Sequence, residues 1–253
     1  MSLVERLSQV EARGERAVLL TVIGGDDVGA KRLVVEDGES GGDGPPELDA
    51  TAGEVIRGGR NRVLDVGARR VLAEVYLPPP RLLIYGAVDT AEALCRAAKL
   101  LGWRTIVADA RAAYTTPGRI PSADELVPGW PQPAFAEVAP DHQTAVVILT
   151  HDAKFDVPAL IAALDSDAFY VGALGSRRNQ DKRRERLREE GVDEAQLERL
   201  SGPCGLDVGA ETQEETALSI LAEILAVRAG RAGGRLAASP GRIHVQADEP
   251  VST

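Results

Sequence analysis

The chain is short of several things, and each shortage excludes something. It has two cysteines, Cys95 and Cys204, far apart in 253 residues. With no C-x-x-C pair and no Cys/His cluster, neither a structural zinc site nor a disulfide framework organises it. Both thiols read as small buried hydrophobes. Aromatic residues are few (three Phe, four Tyr, two Trp), and 29 Lys and Arg face 39 Asp and Glu. At a formal charge of −10 the chain lacks the positive field that neutralises phosphates and the rings on which bases stack. No nucleic-acid partner is expected. No stretch approaches the roughly 18 consecutive apolar residues of a spanning helix, so no membrane partner is expected either. Residues 1–10 are amphipathic and interrupted by charge, without the apolar core of a signal peptide. The expectation is a soluble, cytoplasmic protein.

What is present suits a folded α/β chain. Apolar residues make up 44 % of the sequence, normal for a globular protein with a core. The length fits one large domain or two smaller ones. Composition shifts at Pro78-Pro79-Pro80, where three missing donors hold the backbone extended, as in a linker. Ahead of it, residues 17–23, 32–35 and 70–77 read as short strands. The polar Gly/Pro stretch 37–46 is too poor in apolar residues to pack. After it, apolar runs at 81–85, 103–108, 145–149 and 169–171 alternate with helices at 89–101, 179–190, 193–200 and 213–228. Such alternation specifies a doubly wound α/β fold, a parallel sheet with helices on both faces. The expected division is 1–77, then 78–229, then a poorly ordered tail at 230–253. Thr212-Gln-Glu-Glu215 is a capping box. The helix it opens is apolar nearly all round, so it is either buried or shared between the core and a partner chain.

Ligands of open parallel sheets bind beyond the carboxyl ends of the strands. The residues there are Gly86-Ala87-Val88-Asp89, Asp109-Ala110-Arg111, Thr150-His151-Asp152 and Gly172 to Arg178. The first turn fits a dinucleotide fingerprint at Gly86 and Ala91, with Asp109 about 20 residues on, where a ribose acceptor stands. Val88 occupies the middle glycine's place, and Asp89 puts negative charge where phosphate would gather. The plainer reading is a structural turn whose helix Asp89 caps. From Gly172 to Arg178, Gly172 and Gly175 turn the chain, Ser176 caps a helix, and Arg177 and Arg178 suit bidentate phosphate contact. The competing reading is an exposed helix start whose arginines pair with neighbouring acids. Farther along, Asp181, Glu185 and Glu189 interleave with basic residues, and most of that helix reads as a solvated, self-paired face. His151 suits acid/base work or a ligand hydrogen bond, oriented by Asp152. Equally, Thr150 and Asp152 tie the loop and His151 is merely exposed. A serine triad lacks its G-x-S-x-G elbow.

Together, Pro80-Arg-Leu-Leu-Ile-Tyr-Gly-Ala87, Thr150-His-Asp152, Tyr170-Val-Gly-Ala-Leu-Gly-Ser-Arg-Arg178 and Gly205-Leu-Asp-Val-Gly-Ala-Glu-Thr212 leading into Glu215-Thr-Ala-Leu-Ser-Ile-Leu-Ala-Glu223 resemble the xanthine dehydrogenase accessory factor family, XdhC/CoxI. The likeness covers 80–228 and extends faintly to Gly29-Ala-Lys31 and Ser40-Gly-Gly42. It implies a Rossmann-like domain preceded by a small α+β domain, in a homodimer. It also implies a non-catalytic role: binding the molybdenum cofactor, an anionic pterin (molybdopterin), and assisting a molybdoenzyme of the xanthine dehydrogenase type. On these combined grounds the residues nominated for a cofactor are Gly86, Ala87, Asp109, Thr150, His151, Asp152, Gly172, Gly175, Ser176, Arg177 and Arg178. The chain departs from the family at Asp43, where a cysteine is usual, and at Asp26 and Asp27, where Ser/Pro and arginines are usual. Its Gly-Ala-Gly-His turn here reads Gly86-Ala-Val88-Asp89. Carboxylates at these places remove a soft ligand and reverse the charge offered to a pterin phosphate. Two other readings stay open. One is an NAD(P)-dependent oxidoreductase with Asp109 on the ribose and His151 as acid/base. The other is a scaffold of the same fold that binds only a protein partner.

Overall fold

The structure, a computed structural model, describes residues 2–239. The chain divides into two compact units between Pro78 and Pro79, the segment from Leu236 being grouped with the first. The expected tail at 230–253 is described only as far as 239, and the rest lies outside the described residues.

The first unit opens with α1 (Leu3–Arg13), whose Ser2 and Glu5 form a capping box and which ends at Gly14 in the left-handed region. Five strands follow, β1 (Ala17–Gly24), β2 (Lys31–Val35), β3 (Gly41–Gly42), β4 (Arg62–Val66) and β5 (Arg69–Tyr76), with α2 (Asp49–Gly58) between β3 and β4. They form an antiparallel sheet in the order β3-β2-β1-β5-β4. Side chains on β1 alternate between two cores, as a period of two requires. Ala17 and Leu19 pack with Val10 of α1, while Val18, Leu20 and Val22 pack with Ala52, Val55 and Ile56 of α2. The stretch 37–46 is not all loop, because Gly41–Gly42 adds an edge strand to β2. Gly42 does this at φ +123°, where a Cβ would stand 2.1 Å from the Lys31 carbonyl. Glycine, not apolar content, makes that pairing.

The second unit holds β6 (Arg81–Tyr85), β7 (Arg104–Asp109), β8 (Glu125–Pro128), β9 (Thr144–Ile148), β10 (Tyr170–Ala173) and β11 (Leu200–Ser201). Its helices are α3 (Asp89–Leu100), α4 (Pro131–Val138), α5 (Ala153–Leu164), α6 (Arg177–Glu189), α7 (Glu194–Glu198) and α8 (Gln213–Arg228). All strand pairs are parallel, in the order β11-β10-β9-β6-β7-β8. The unit is an α/β fold of Rossmann type, and its strand order reverses between β6 and β9. In β6, Leu82 and Ile84 face a core shared with Leu94 and Ala98 of α3 and Ile220 and Ile224 of α8. Leu83 and Tyr85 face the opposite core, with Phe135 of α4 and Leu160 of α5. Cys95 and Cys204 are buried free thiols, and burial pushes the pKa of each up to about 12. Among the described residues no helix is long and apolar enough to cross a membrane.

Candidate functional site

The strand order reverses between β6 and β9, and the carboxyl edge at such a reversal is the usual ligand position in folds of this kind. Gly86 ends β6 at φ +121°, and a Cβ there would lie 3.2 Å from both the Leu149 backbone and Thr150 N. Only glycine brings these two strand ends so close without strain. Helix α3 begins at Asp89 with Val88 as its N-cap and no side-chain cap. Asp89 therefore does not cap the helix; it is highly exposed and reaches Arg119 at 4.0 Å.

Asp109, at the end of β7, is almost wholly buried. Its Oδ2 accepts from Ala87 N (2.9 Å) and Arg111 Nη2 (2.7 Å), and its Oδ1 accepts from Arg111 N and Nε (both 2.9 Å). Burial opposes the charge, but the Arg111 side chain and the two backbone N–H donors together hold the carboxyl below the usual carboxylate range. Asp109 thus ties the Gly86–Ala87 turn to the β7 end. A ribose diol would reach it only by displacing Arg111.

Beyond β9 and β10 the nominated residues separate into buried and exposed sets. Thr150 is buried, with its hydroxyl 3.4 Å from Asp156 Oδ1. His151 is exposed. Asp152 is the N-cap of α5 and accepts Lys154 N–H at 3.0 Å. Ser176 caps α6, accepting from Asn179 N. Arg177 and Arg178 are exposed at its first turn, without an ion-pair partner among the described residues. Gly175 turns the chain at φ +142°, and a Cβ on Gly172 would stand 2.6 Å from the Tyr170 ring. The Tyr170 hydroxyl donates to Glu223 Oε2 (2.5 Å), which also accepts Gly205 N–H (2.6 Å) and so fastens α8 to β10.

Beneath this edge lies a group that pattern reading missed. Arg183 is buried; its Nε and Nη2 donate to Asp156 Oδ2 (2.6 Å) and Oδ1 (2.9 Å). Its Nη1 donates to Gln180 Oε1 (2.7 Å) and the Leu174 carbonyl (3.2 Å). Arg184 donates to the carbonyls of Leu197 and Leu200, and Arg188 pairs with Glu194. The basic helix is mostly exposed, as a solvated face should be, but it is not self-paired: Arg183, Arg184 and Arg188 brace other elements. Elsewhere, in the first unit, two departures from the family have partners. Asp27 Oδ2 accepts from Arg69 Nη2 at 2.7 Å, and Asp43 Oδ1 accepts Lys31 N–H at 2.8 Å.

Comparison with known proteins bears on this edge. The family model described as the XdhC Rossmann domain matches residues 82–224. The chain is 35 % identical over 171 residues to the uncharacterized protein YqeB of Escherichia coli, covering 66 % of this chain and 31 % of that one. It is 32 % identical to a probable xanthine dehydrogenase subunit of Bacillus subtilis, over 60 % of this chain and 44 % of the relative. A molybdenum cofactor insertion chaperone, PaoD of Escherichia coli, is 31 % identical over 60 % of this chain and 42 % of its own length. These matches span less than half the length of the curated relatives. A crystal structure titled as a xanthine dehydrogenase from Bacillus halodurans shares the fold at a TM-score of 0.66 and 24 % identity, covering 94 % of this chain and 66 % of that one.

Proposed function

The chain belongs to the XdhC family, and we propose that it is a non-catalytic accessory protein that carries the molybdenum cofactor as cargo for a molybdoenzyme of the xanthine dehydrogenase type. The names of PaoD and of the Bacillus subtilis relative support a maturation role. The observation that carries the reading is the edge at the strand reversal. There Gly86 meets the end of β9 at Leu149 and Thr150, exposed His151 follows that end, and Arg177 and Arg178 lie exposed after the Gly175 turn that follows the neighbouring strand β10. The start of α6 offers free N–H groups and fixed positive charge, which suits an anionic pterin phosphate. Gly86, Ala87, Thr150, Asp152, Gly172 and Ser176 shape and hold that edge, and Asp109 fixes its turn. Anaerobic calorimetric titration with the molybdenum cofactor tests this. Saturable binding is expected, weakened about tenfold or more when Arg177 and Arg178 are both replaced by alanine, two charge-assisted contacts being lost. No binding by the unaltered chain, or none of this weakening, refutes it. NAD and NADP in the same cell separate the oxidoreductase reading, which the engagement of Asp109 with Arg111 disfavours.

We also assign the homodimer contact to the outer face of α8 and its neighbour α3. A groove of about 440 Å³ there is lined by Ala93, Ala97, Leu100 and Leu218 together with Arg96, Lys99, Ser122 and Glu214, and Leu218 is 58 % exposed. Sedimentation is expected to show a dimer for the unaltered chain and a monomer for Leu218→Glu, because a carboxylate then replaces an exposed apolar side chain of the contact and must lose its water there. A dimer that survives the substitution places the contact elsewhere.

A further inference from the structure

Trp130 breaks a local rule. It is the N-cap of α4, a position that favours Ser, Thr, Asp or Asn, and it supplies no side-chain cap. In a chain with two tryptophans, this one is 47 % exposed while Trp103 is 4 % exposed. Rules broken locally without a folding gain mark functional positions. Its place is also fixed. The preceding residue, Gly129, donates its N–H to the Asp109 carbonyl (3.0 Å), and its own carbonyl accepts the Tyr85 hydroxyl (3.1 Å). Trp130 is thus tethered to the ends of β6 and β7, one residue from Gly86 on the first. On its inner side Phe155 of α5 packs at 5.2 Å between ring centroids. The Lys154 ammonium lies 5.0 Å from the indole centroid, three residues beyond His151.

An exposed indole packed against Phe155, with a cation over its ring, offers what a planar heteroaromatic ring with an anionic substituent requires: stacking for the ring, charge for the substituent. We propose that Trp130 is the stacking platform for the pterin ring and that Lys154 meets the ligand's phosphate. This rests on the reading that the strand-end edge takes an anionic pterin. It adds a ring-binding subsite on the α4–α5 side of the sheet.

Neopterin monophosphate is the probe, titrated calorimetrically into the full chain beside unphosphorylated neopterin and inorganic phosphate. The unaltered chain binds neopterin monophosphate and quenches indole fluorescence. Trp130→Leu weakens binding about tenfold or more, whereas Trp130→Phe, which keeps a ring, stays within about threefold. Lys154→Gln weakens the phosphorylated probe and leaves neopterin unchanged. Undiminished binding by Trp130→Leu overturns the platform and leaves the cofactor reading standing. Inorganic phosphate binding as tightly as the phosphorylated pterin overturns the part given to the ring. No saturable binding of either pterin overturns the platform as well, while the molybdenum cofactor titration decides the wider reading by itself.

Discussion

Replacing Arg183 with alanine is expected to cost about 3–5 kcal/mol of folding stability. Arg183 and Asp156 are each less than a tenth exposed, so removing the guanidinium leaves a buried carboxylate with no countercharge. The partner left to Asp156 is the Thr150 hydroxyl at a long 3.4 Å. Gln180 and the Leu174 carbonyl lose their donor as well. Most of the cost is this orphaned polarity, not the net worth of the pair. A second substitution separates the two. Arg183→Met combined with Asp156→Leu removes both charges and is expected to recover a large part of the loss. Urea denaturation of the unaltered chain and both variants reads the result. A single variant within about 1 kcal/mol of the unaltered chain would contradict the brace. Because Asp156 touches Thr150 and Arg183 touches Leu174, the single variant should also loosen the β9 and β10 ends and weaken any ligand held between them.

The brace was hard to see in the sequence for a physical reason. In the run of seven basic residues from Arg177 to Arg188, side-chain type does not distinguish an arginine that faces solvent from one that meets a carboxylate on another helix. Asp156 carried no signal either, since α5 has Pro158 inside it and apolar residues on all sides, so its periodicity is masked. Trp130 follows β8, a four-residue edge strand containing an acid and a proline, where no apolar run announces a strand end. By contrast, 81–85 and 145–149 were legible as strands because parallel strands covered on both faces read as unbroken apolar runs. The parallel sheet at the centre of the second unit follows from them. Gly86 and Thr150 could be placed at strand ends from sequence; their proximity required the reversed strand order. Asp89 reads as a cap by residue type, but the helix starts at Asp89 itself and leaves the cap position to Val88.

Asp109→Asn is expected to lower stability by about 2–3 kcal/mol near neutral pH and to change its dependence on acid. The carboxylate accepts four N–H bonds, two from the Arg111 side chain, one from Arg111 N and one from Ala87 N. An amide has one acceptor oxygen and would turn its own N–H groups toward two of these donors. Arg111 is 41 % exposed, so solvent screens its share and the cost stays below that of the buried pair. The folded carboxyl titrates below its ordinary range, so at a given acid pH the unfolded chain binds the proton more readily. Stability from this group is therefore fully present above the unfolded value of about 3.9 and is lost as pH falls through the lower folded value. The gap between the unaltered chain and Asp109→Asn should be constant above about pH 5 and narrow below about pH 4. Denaturation midpoints collected across that range test it, and a gap that widens in acid reverses the sign and defeats the assignment. The same substitution removes the acceptor that holds Ala87 N–H, so the Gly86 turn should lose its fixed position. Molybdenum cofactor binding is then expected to fall with it, through the loosened turn.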